Sequence, residues 1–279
     1  MKILDCTLRD GGYYNNWDFD KCQVDSYIEA INHLPIDYIE IGYRSVARKE
    51  YFGKYFYSPI FELENIKKKT NKKLAIILDE KDVKISDVDS LLSPIVGIVT
   101  MVRIAINPDN LKRAILLAKK VKEYGFEIGF NVMYMSKWKD NLTFIDTLKE
   151  VNGVADYFYM VDSFGGVFPD DVKQIISIVK QQVSCKLGFH GHNNLELALT
   201  NTLTAIENGV EIVDATILGM GRGAGNLKTE LLLTVLDHSN KVDVDFSYLE
   251  KAISSIAPLL KKYEWGTNLP YMISGISSL

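Results

Sequence analysis

The amino-acid sequence predicts a (β/α)8 barrel. Eight apolar, β-rich segments recur along the 279 residues, and the segments between them have the amphipathic spacing of helices. The predicted strands are almost continuously apolar, as expected for a parallel sheet that is covered on both faces. No linker, low-complexity stretch or basic tail divides the chain. We therefore expect a barrel domain over residues 1–265 and a C-terminal tail over 266–279 that could begin a further helical segment.

The predicted elements alternate between strand and helix. The eight predicted strands are 2–8, 38–43, 73–79, 97–106, 127–135, 157–165, 186–192 and 211–219. The helix predicted over 109–125 stops at a glycine, as does the helix over 194–209. The helix over 169–183 opens with proline and two aspartates, which are typical of a helix N-terminus. Eight such units in roughly 240 residues agree with the size of a barrel.

The composition excludes several classes of protein. The net charge is −4, with 32 basic and 36 acidic residues, so no basic excess indicates a nucleic-acid or membrane surface. No apolar run approaches the roughly 20 residues of a membrane helix, and acidic residues come too early for a signal peptide. The cysteines, three in number and widely spaced, fit reduced thiols. We expect a cytoplasmic protein, and the sequence leaves a homo-oligomer open.

A doubly wound sheet is the rival fold. The segment GMGRGA over 219–224 matches the dinucleotide pattern G-x-G-x-x-G/A, and Asp243 lies where a ribose-binding acid would lie. The segment follows the eighth strand, however, and too little chain remains after it for the further strands of such a sheet. In a barrel the same glycines would form the loop after strand eight, where phosphates often bind. We therefore favour the barrel.

Polar residues at the predicted strand ends are the candidate site, because active sites of barrels lie at the C-terminal ends of the strands. In chain order these residues are Arg9, Asp10, Tyr13, Glu40, Asp79, Arg103, Asn131, Asp162, Ser163, His190, His192 and Asn226. We expect Arg103, Asn131, Asp162 and Ser163 to bind substrate. Aspartates at strand ends also often brace a barrel, and that alternative stays open for Asp162.

Two histidines at the end of strand seven indicate a metal site. Side chains alternate across a strand, so His190 and His192 face the same side. Neutral imidazole is a frequent metal ligand. Asp10 can add a carboxylate at the same barrel mouth, and Asn226 can add a carbonyl oxygen. This set suits Mn²⁺, Mg²⁺ or Zn²⁺. The alternative is a packed, hydrogen-bonded histidine pair, but the position at the catalytic end favours metal.

Three segments together carry a family resemblance. LDCTLRDGG, GFHGHNN and GMGRGAGN resemble the DRE-TIM metallolyase superfamily, the hydroxymethylglutaryl-CoA lyase-like enzymes, and most of all the 4-hydroxy-2-oxovalerate aldolases. The resemblance spans nearly the whole chain. It implies that Asp10, His190 and His192 bind a divalent metal, most simply Mn²⁺, with Asn226 as a further ligand or near neighbour. It also implies that Arg9 holds an enolate oxygen.

The resemblance implies a carbon–carbon bond made or broken next to a carbonyl group. A divalent ion chelated by the 2-oxo and carboxylate oxygens of pyruvate would spread the enolate charge as a Lewis acid. Arg9 would add a fixed positive charge where negative charge develops. The substrates would be a 2-oxo acid and an aldehyde. The alternative for Arg9 is a structural ion pair with Asp162 or Glu40.

One position departs from the aldolase pattern. These aldolases have a histidine base shortly after TLRDG, and Tyr13 stands at about that place here. Tyrosine is a poor base near neutral pH but can donate a proton. The proton could therefore move through Tyr13, Tyr14 or a metal-bound hydroxide. The glutamate and glutamine that follow Asp-Gly in the acyl-CoA synthases are absent, and so is the loop cysteine of hydroxymethylglutaryl-CoA lyase.

The segment 43–59 after strand two has four basic residues and six aromatics. It could cover the mouth as a lid in which Arg44, Arg48 and Lys49 meet a substrate carboxylate or phosphate. It could equally be a surface loop whose aromatics cover the barrel rim.

Three functions follow from these patterns. The first is a metal-dependent aldolase with a pyruvate-type donor. The second is a Claisen-type synthase or lyase that uses an acyl-CoA and releases a CoA thiol. The third is a non-catalytic barrel that binds a metal without turnover, which only the missing histidine favours.

Overall fold

The computed structural model describes residues 1–279 and contains a closed barrel of eight parallel strands in chain order. The strands are β1 (Lys2–Asp5), β2 (Tyr38–Tyr43), β3 (Lys73–Asp79), β4 (Met101–Ile106), β5 (Glu127–Val132), β6 (Tyr157–Asp162), β7 (Lys186–Gly191) and β8 (Ile212–Ala215). β8 pairs with β1 from Lys2 opposite Ile212 to Asp5 opposite Ala215, which closes the barrel. The predicted fold class is confirmed.

Helices surround the strands. They are α1 (Thr7–Asn15), α2 (Lys21–Asn32), α3 (Lys54–Tyr57), α4 (Ile60–Lys67), α5 (Val88–Leu92), α6 (Leu111–Lys122), α7 (Met135–Trp138), α8 (Leu142–Thr147), α9 (Pro169–Gln182), α10 (Ala198–Glu207), α11 (Thr229–His238), α12 (Phe246–Tyr263) and α13 (Leu269–Ser277). None combines the length and the hydropathy needed to cross a membrane. The three cysteines are free thiols.

The apolar side chains form two cores. A cluster of 75 buried residues fills the space between the sheet and the helices. A second cluster of nine, which includes Tyr157, Tyr159 and Met101, fills the inside of the barrel. Every residue of β2, β4 and β6 is buried because both faces of these strands are covered. This double burial explains why the strands read as continuous apolar runs.

The first strand is shorter than predicted, and a helix takes its place. β1 ends at Asp5, and α1 begins at Thr7 although it contains two glycines, which weaken a helix. The glycines are required by tertiary packing. A Cβ on Gly12 would lie 2.0 Å from the ring of Trp17, and one on Gly11 would lie 2.4 Å from Met220 Sδ. The strand predictions that reached 219 and 165 are also too long, because β8 and β6 end earlier.

The glycine-rich segment after β8 forms a loop of the barrel. Gly219, Gly223 and Gly225 have φ values of 65°, 65° and 79°, which favour glycine, and α11 begins only at Thr229. The closed sheet leaves no edge on which a doubly wound sheet could continue. The rival fold is therefore excluded.

Asp5 fixes the start of α1. Its carboxylate accepts hydrogen bonds from the Tyr27 hydroxyl at 2.6 Å, the Thr7 amide at 3.0 Å and the Thr229 hydroxyl at 2.7 Å. These donors belong to α2, α1 and α11. A buried carboxylate needs such partners because it has lost its hydration. The position of α1 therefore depends on Asp5.

We predict that Tyr27→Phe lowers the free energy of unfolding by about 1–3 kcal/mol, because a buried acceptor loses a donor. Urea denaturation followed by circular dichroism measures this change. Tyr51→Phe is the matched control, since the Tyr51 hydroxyl donates to Asp18 at 2.7 Å on the exposed surface. It should leave the free energy of unfolding nearly unchanged. Equal losses in the two variants would contradict the role of Asp5.

Candidate active site

A small cavity of about 60 Å³ opens at the C-terminal ends of the strands. Its polar lining is Arg9, Asp10, Tyr13, Tyr43, Asn131, Ser163, His190, His192 and Arg222. The residues come from separate parts of the sequence and meet because parallel strands end at one mouth of the barrel.

Six buried ionisable side chains form a closed ring beneath and beside this cavity. The ring runs Arg9, Glu40, Arg103, Asp214, His190, Asp10 and back to Arg9. Each member is at most 7% exposed. Arg9 Nε donates to Glu40 Oε2 at 2.7 Å, and a second guanidinium nitrogen of Arg9 pairs with Asp10. Such a ring can exist away from water only because every charge in it has a partner.

Arg103 is the centre of the ring. Its Nε donates to Asn131 Oδ1 at 2.9 Å, and its Nη2 pairs with Asp214. Arg103 Nη1 lies 3.2 Å from Glu40 Oε1, an ion pair whose angle is too bent for a hydrogen bond. The guanidinium carbon also lies 4.1 Å from the centroid of the Tyr159 ring. Arg103 therefore joins β2, β4, β5 and β8 inside the barrel.

The charges of the ring do not cancel. Two guanidinium groups face three carboxylates, which leaves one negative charge among these five side chains. Burial by itself raises the pKa of Asp10, but the Arg9 guanidinium outweighs it, so that the pKa lies below its usual value. Burial likewise opposes ionisation of Asp214, yet Arg103 lowers the pKa of this carboxyl on balance. The surplus negative charge at the cavity favours a cation.

Both histidines present one free ring nitrogen. His190 Nδ1 lies 2.8 Å from Asp214 Oδ2, and His192 Nδ1 lies 2.8 Å from the backbone oxygen of Asp162. These pairings place the proton on Nδ1 and leave each Nε2 as a lone-pair donor. Mainly because of burial, the pKa of His192 falls to about 3, so its ring is neutral. Histidine ligands of metals are oriented in this way by a carboxylate or carbonyl on the other nitrogen.

Asn226 and Asp10 complete a set of possible ligands. The Asn226 side-chain amide donates to Asp10 Oδ2 at 2.8 Å, and its own Oδ1 is buried without a hydrogen-bond partner. His190 Nε2 lies 3.5 Å from the same Asp10 oxygen. Two imidazole nitrogens, a carboxylate and an amide oxygen without a donor fit a divalent cation. The residues named from the sequence therefore lie where such an ion could be held.

A different group of potential ligands, Cys6, His190 and Asp214, also lies within 4.8 Å. Asp214 is already used by Arg103 and by His190 Nδ1. Burial and then the neighbouring Asp10 raise the pKa of the Cys6 thiol well above its usual value, and a protonated thiol is a poor ligand. This group is therefore a weaker candidate for a metal site.

Arg9 has one guanidinium nitrogen left for a ligand. The other two are taken by Glu40 and Asp10, and Arg9 lines the cavity. The ion pair with Glu40 that the sequence left as an alternative is present. It fixes the guanidinium and leaves the remaining donor facing the cavity. Burial lowers the pKa of Arg9, but Asp10 and Glu40 more than restore it, so the charge is permanent.

Tyr13 lies at the outer edge of the cavity. Its hydroxyl is 2.8 Å from that of Tyr43, and the guanidinium carbon of Arg222 is 5.3 Å from its ring centroid. Burial and then the neighbouring Tyr13 raise the pKa of Tyr43 well above its usual value. Tyr14 lies elsewhere, where it stacks on Tyr263 with ring centroids 5.6 Å apart.

Only some of the other residues that the sequence predicted to bind substrate line the cavity. Asn131 and Ser163 line the cavity, whereas Arg103 lies below it in the ring. The Asp162 carboxylate accepts from the Gly166 amide at 3.1 Å outside the cavity, and burial raises its pKa to about 7. Arg44 lies away from the cavity, where it donates to the Ser58 carbonyl at 2.7 Å.

Sequence reasoning missed Asp214, Tyr43 and Arg222. Asp214 is a lone aspartate inside the apolar strand EIVDATILG, a signal that could have indicated a buried partner for a cation. Tyr43 carried no signal, because any aromatic at a strand end also suits the core. Arg222 lies within the glycine-rich segment GMGRGA. The interpretation of this segment considered only its glycines, as a dinucleotide pattern or a loop of the barrel.

We predict that Arg103→Met lowers the free energy of unfolding by about 3–5 kcal/mol, because it leaves the buried Asp214 without a guanidinium partner and Glu40 with Arg9 alone. Denaturation in urea measures the loss. Lys251→Met breaks the exposed pair with Glu29 and should change the free energy of unfolding far less. If the two variants were equally stable, the ring would not be holding the barrel together.

Known proteins resemble this chain over almost its full length. The HMGL-like family model matches residues 98–256. The 4-hydroxy-2-oxovalerate aldolase of Thermomicrobium roseum is 32% identical over 274 residues, which cover 93% of this chain and 73% of that protein. The enzyme of the same name from Geobacillus thermodenitrificans is 33% identical over 266 residues, 93% of this chain and 76% of that protein.

Solved structures agree. The crystal structure of the N-terminal domain of a candidate aldolase from Bacteroides vulgatus is 54% identical, has a TM-score of 0.99, and matches 100% of this chain and 93% of that one. The carboxyl transferase domain of Rhizobium etli pyruvate carboxylase shares the fold alone, with 15% identity and a TM-score of 0.74 over 95% of this chain and 48% of that one. The chain therefore belongs to the HMGL-like family of carbon–carbon lyases, as its three sequence motifs predicted.

Proposed function

We propose that this protein is a divalent-metal-dependent aldolase that joins a pyruvate-type 2-oxo acid to an aldehyde, or cleaves the product. The observation that carries the proposal is the pair His190 and His192, each with Nδ1 tied to an oxygen, and His190 Nε2 lies 3.5 Å from Asp10 Oδ2. This arrangement orients two imidazoles as ligands, and a buried guanidinium lies next to them. The two named aldolase relatives support the same reaction class.

Asp10, His190, His192 and Asn226 would hold the ion, which when bound would act as a Lewis acid toward the 2-oxo and carboxylate oxygens of the donor. Arg9 donates from its free guanidinium nitrogen to the oxygen on which negative charge develops. Because its other nitrogens are fixed by Glu40 and Asp10, it needs no reorganisation during the reaction.

Asn131 and Ser163 orient the donor acid. The Asn131 Oδ1 accepts from Arg103, so its amide NH2 remains to donate into the cavity. The Ser163 Oγ accepts from the Tyr134 amide at 2.8 Å, so its hydroxyl hydrogen remains to donate. Two fixed donors beside a small cavity hold a planar acid in one orientation.

Tyr13 moves the proton at the acceptor oxygen. In condensation it donates its hydroxyl proton to the oxygen of the former aldehyde, and in cleavage it takes the proton back. Tyr43 holds the hydroxyl in place at 2.8 Å. Arg222 beside the ring stabilises the negative charge that appears on Tyr13 during the transfer.

Enolate formation can be tested without an aldehyde. Pyruvate incubated with the protein and Mn²⁺ in D₂O should lose its methyl signal in the NMR spectrum without any aldehyde. The loss should disappear without metal and in His192→Ala, because one imidazole ligand is then missing. His238→Ala is the matched control, since His238 is exposed at the end of α11. Metal bound without any exchange would contradict the proposed donor.

Removing the hydroxyl group of Tyr13 tests its role in proton transfer. Tyr13→Phe should lower kcat for aldol cleavage by about 10²- to 10⁴-fold, the usual contribution of a general acid or base. Tyr14→Phe removes a hydroxyl from the next residue, which does not line the cavity, and should leave kcat unchanged. Steady-state measurement of pyruvate release gives both values. Full activity in Tyr13→Phe would move the proton transfer to another group.

A further inference from the structure

A second, larger cavity lies directly outside the candidate active site. Its volume is about 340 Å³, against about 60 Å³ for the first. Tyr13 and Tyr43 line both cavities, so the hydrogen-bonded tyrosine pair forms the boundary between them. A volume near 340 Å³ falls within the range of small-molecule sites, about 300–1,000 Å³.

The inner wall of this second cavity is aromatic. Trp17 is the centre of the wall, with its ring centroid 5.0 Å from that of Phe56 and 5.7 Å from that of Phe52. The two phenylalanine rings stack with centroids 4.2 Å apart. Flat aromatic faces of this kind pack against the C–H faces of a small ligand.

The wall is held in place by backbone contacts. The Gly53 amide donates to the Asn16 carbonyl at 2.6 Å, and the Tyr55 amide donates to the Trp17 carbonyl at 3.2 Å. A Cβ on Gly42 would lie 1.9 Å from the Tyr55 carbonyl oxygen, so only glycine allows α3 to approach β2 so closely. The segment 43–59 is therefore fixed to α1 and β2.

The opposite side of the second cavity is polar but electrically balanced. Arg48 pairs with Asp82, and Lys81 Nζ lies 3.1 Å from Asp79 Oδ2, so each cation already has an anion. Ser45 Oγ is buried there without a hydrogen-bond partner. Balanced pairs offer hydrogen-bond donors and acceptors without a net charge.

We propose that the second cavity is the acceptor subsite and that it takes an uncharged polyhydroxylated aldehyde of roughly four to six carbons. The volume of about 340 Å³ lies at the lower end of the range of small-molecule sites, as suits an aldehyde of this size. Hydroxyl groups suit the balanced polar side, and the C–H face suits the aromatic wall. This inference rests on the proposed aldolase function.

The chemistry balances without a further reactant. The donor methyl group loses one proton, which passes to water, to form the enolate, and its carbon then bonds to the aldehyde carbon. The aldehyde oxygen gains the proton that Tyr13 donates, and Tyr13 regains a proton from water. No oxidant or reductant takes part. The aldehyde carbon must reach Tyr13 from the second cavity, which places its hydroxylated tail against Ser45 and the aromatic wall.

Three aldehydes of equal carbon number separate the possibilities. Erythrose, butanal and erythrose 4-phosphate are each supplied with pyruvate and Mn²⁺, and the rate of condensation is measured as kcat/KM. We expect erythrose to exceed both butanal and the phosphate by about tenfold or more. A preference for butanal, or for the phosphate, overturns the proposed acceptor class. Pyruvate exchange in D₂O is measured on the same samples.

Variants of the wall test the location. Ser45→Leu fills the cavity and should lower the ratio of erythrose condensation to pyruvate exchange about tenfold, and Phe52→Ala should lower it by removing the stacking face. Ser239→Leu is the matched control, since Ser239 is exposed beyond α11 and lines neither cavity. Its ratio should equal that of the unaltered protein.

The two proposals fail in different ways. Unchanged ratios in both Ser45→Leu and Phe52→Ala, with exchange intact, overturn the acceptor subsite and leave the aldolase function standing. Absence of pyruvate exchange in the unaltered, metal-loaded protein overturns the aldolase function, and the acceptor subsite falls with it.

Discussion

The Arg103 guanidinium, buried at the centre of the barrel, is the group on which the rest of the site depends. It holds Glu40 and Asp214, and these two carboxylates in turn hold Arg9 and His190. Removing one member leaves a charge without a partner in a place that water does not reach, which costs more than the pair contributes by itself. The geometry at the cavity is therefore fixed by charge pairing beneath it.

The barrel makes room for this arrangement with small residues on neighbouring strands. A Cβ on Gly188 would lie 2.4 Å from the Tyr159 ring, and one on Gly129 would lie 3.0 Å from Arg103. Tyr159 then supports the guanidinium face at 4.1 Å. Gly129 in β5 and Gly188 in β7 therefore leave the space that Arg103 and Tyr159 occupy, although neither glycine lines the cavity.

The sequence was sufficient for the fold and for seven of the nine polar residues that line the candidate site. Continuous apolar runs mark strands covered on both faces, and a spacing of two residues places His190 and His192 on one face. It was insufficient for α1, because Gly11 and Gly12 weaken the helical pattern. Glycine is needed at these positions because Trp17 and Met220 pack against them. It also could not show that Arg103 and Asp214 meet, since they are far apart in the chain and only barrel closure joins them.

The two cavities differ in charge, and the tyrosine pair lies where the difference arises. The inner cavity borders a ring with one surplus negative charge, which suits a cation, whereas the ion pairs of the outer cavity cancel. A charged acceptor would gain little from groups that are already paired, while hydroxyl groups gain from every exposed donor and acceptor. At the barrel mouth, the inner cavity therefore favours a cation and the outer cavity favours an uncharged ligand with hydroxyl groups. Tyr13 lines both cavities.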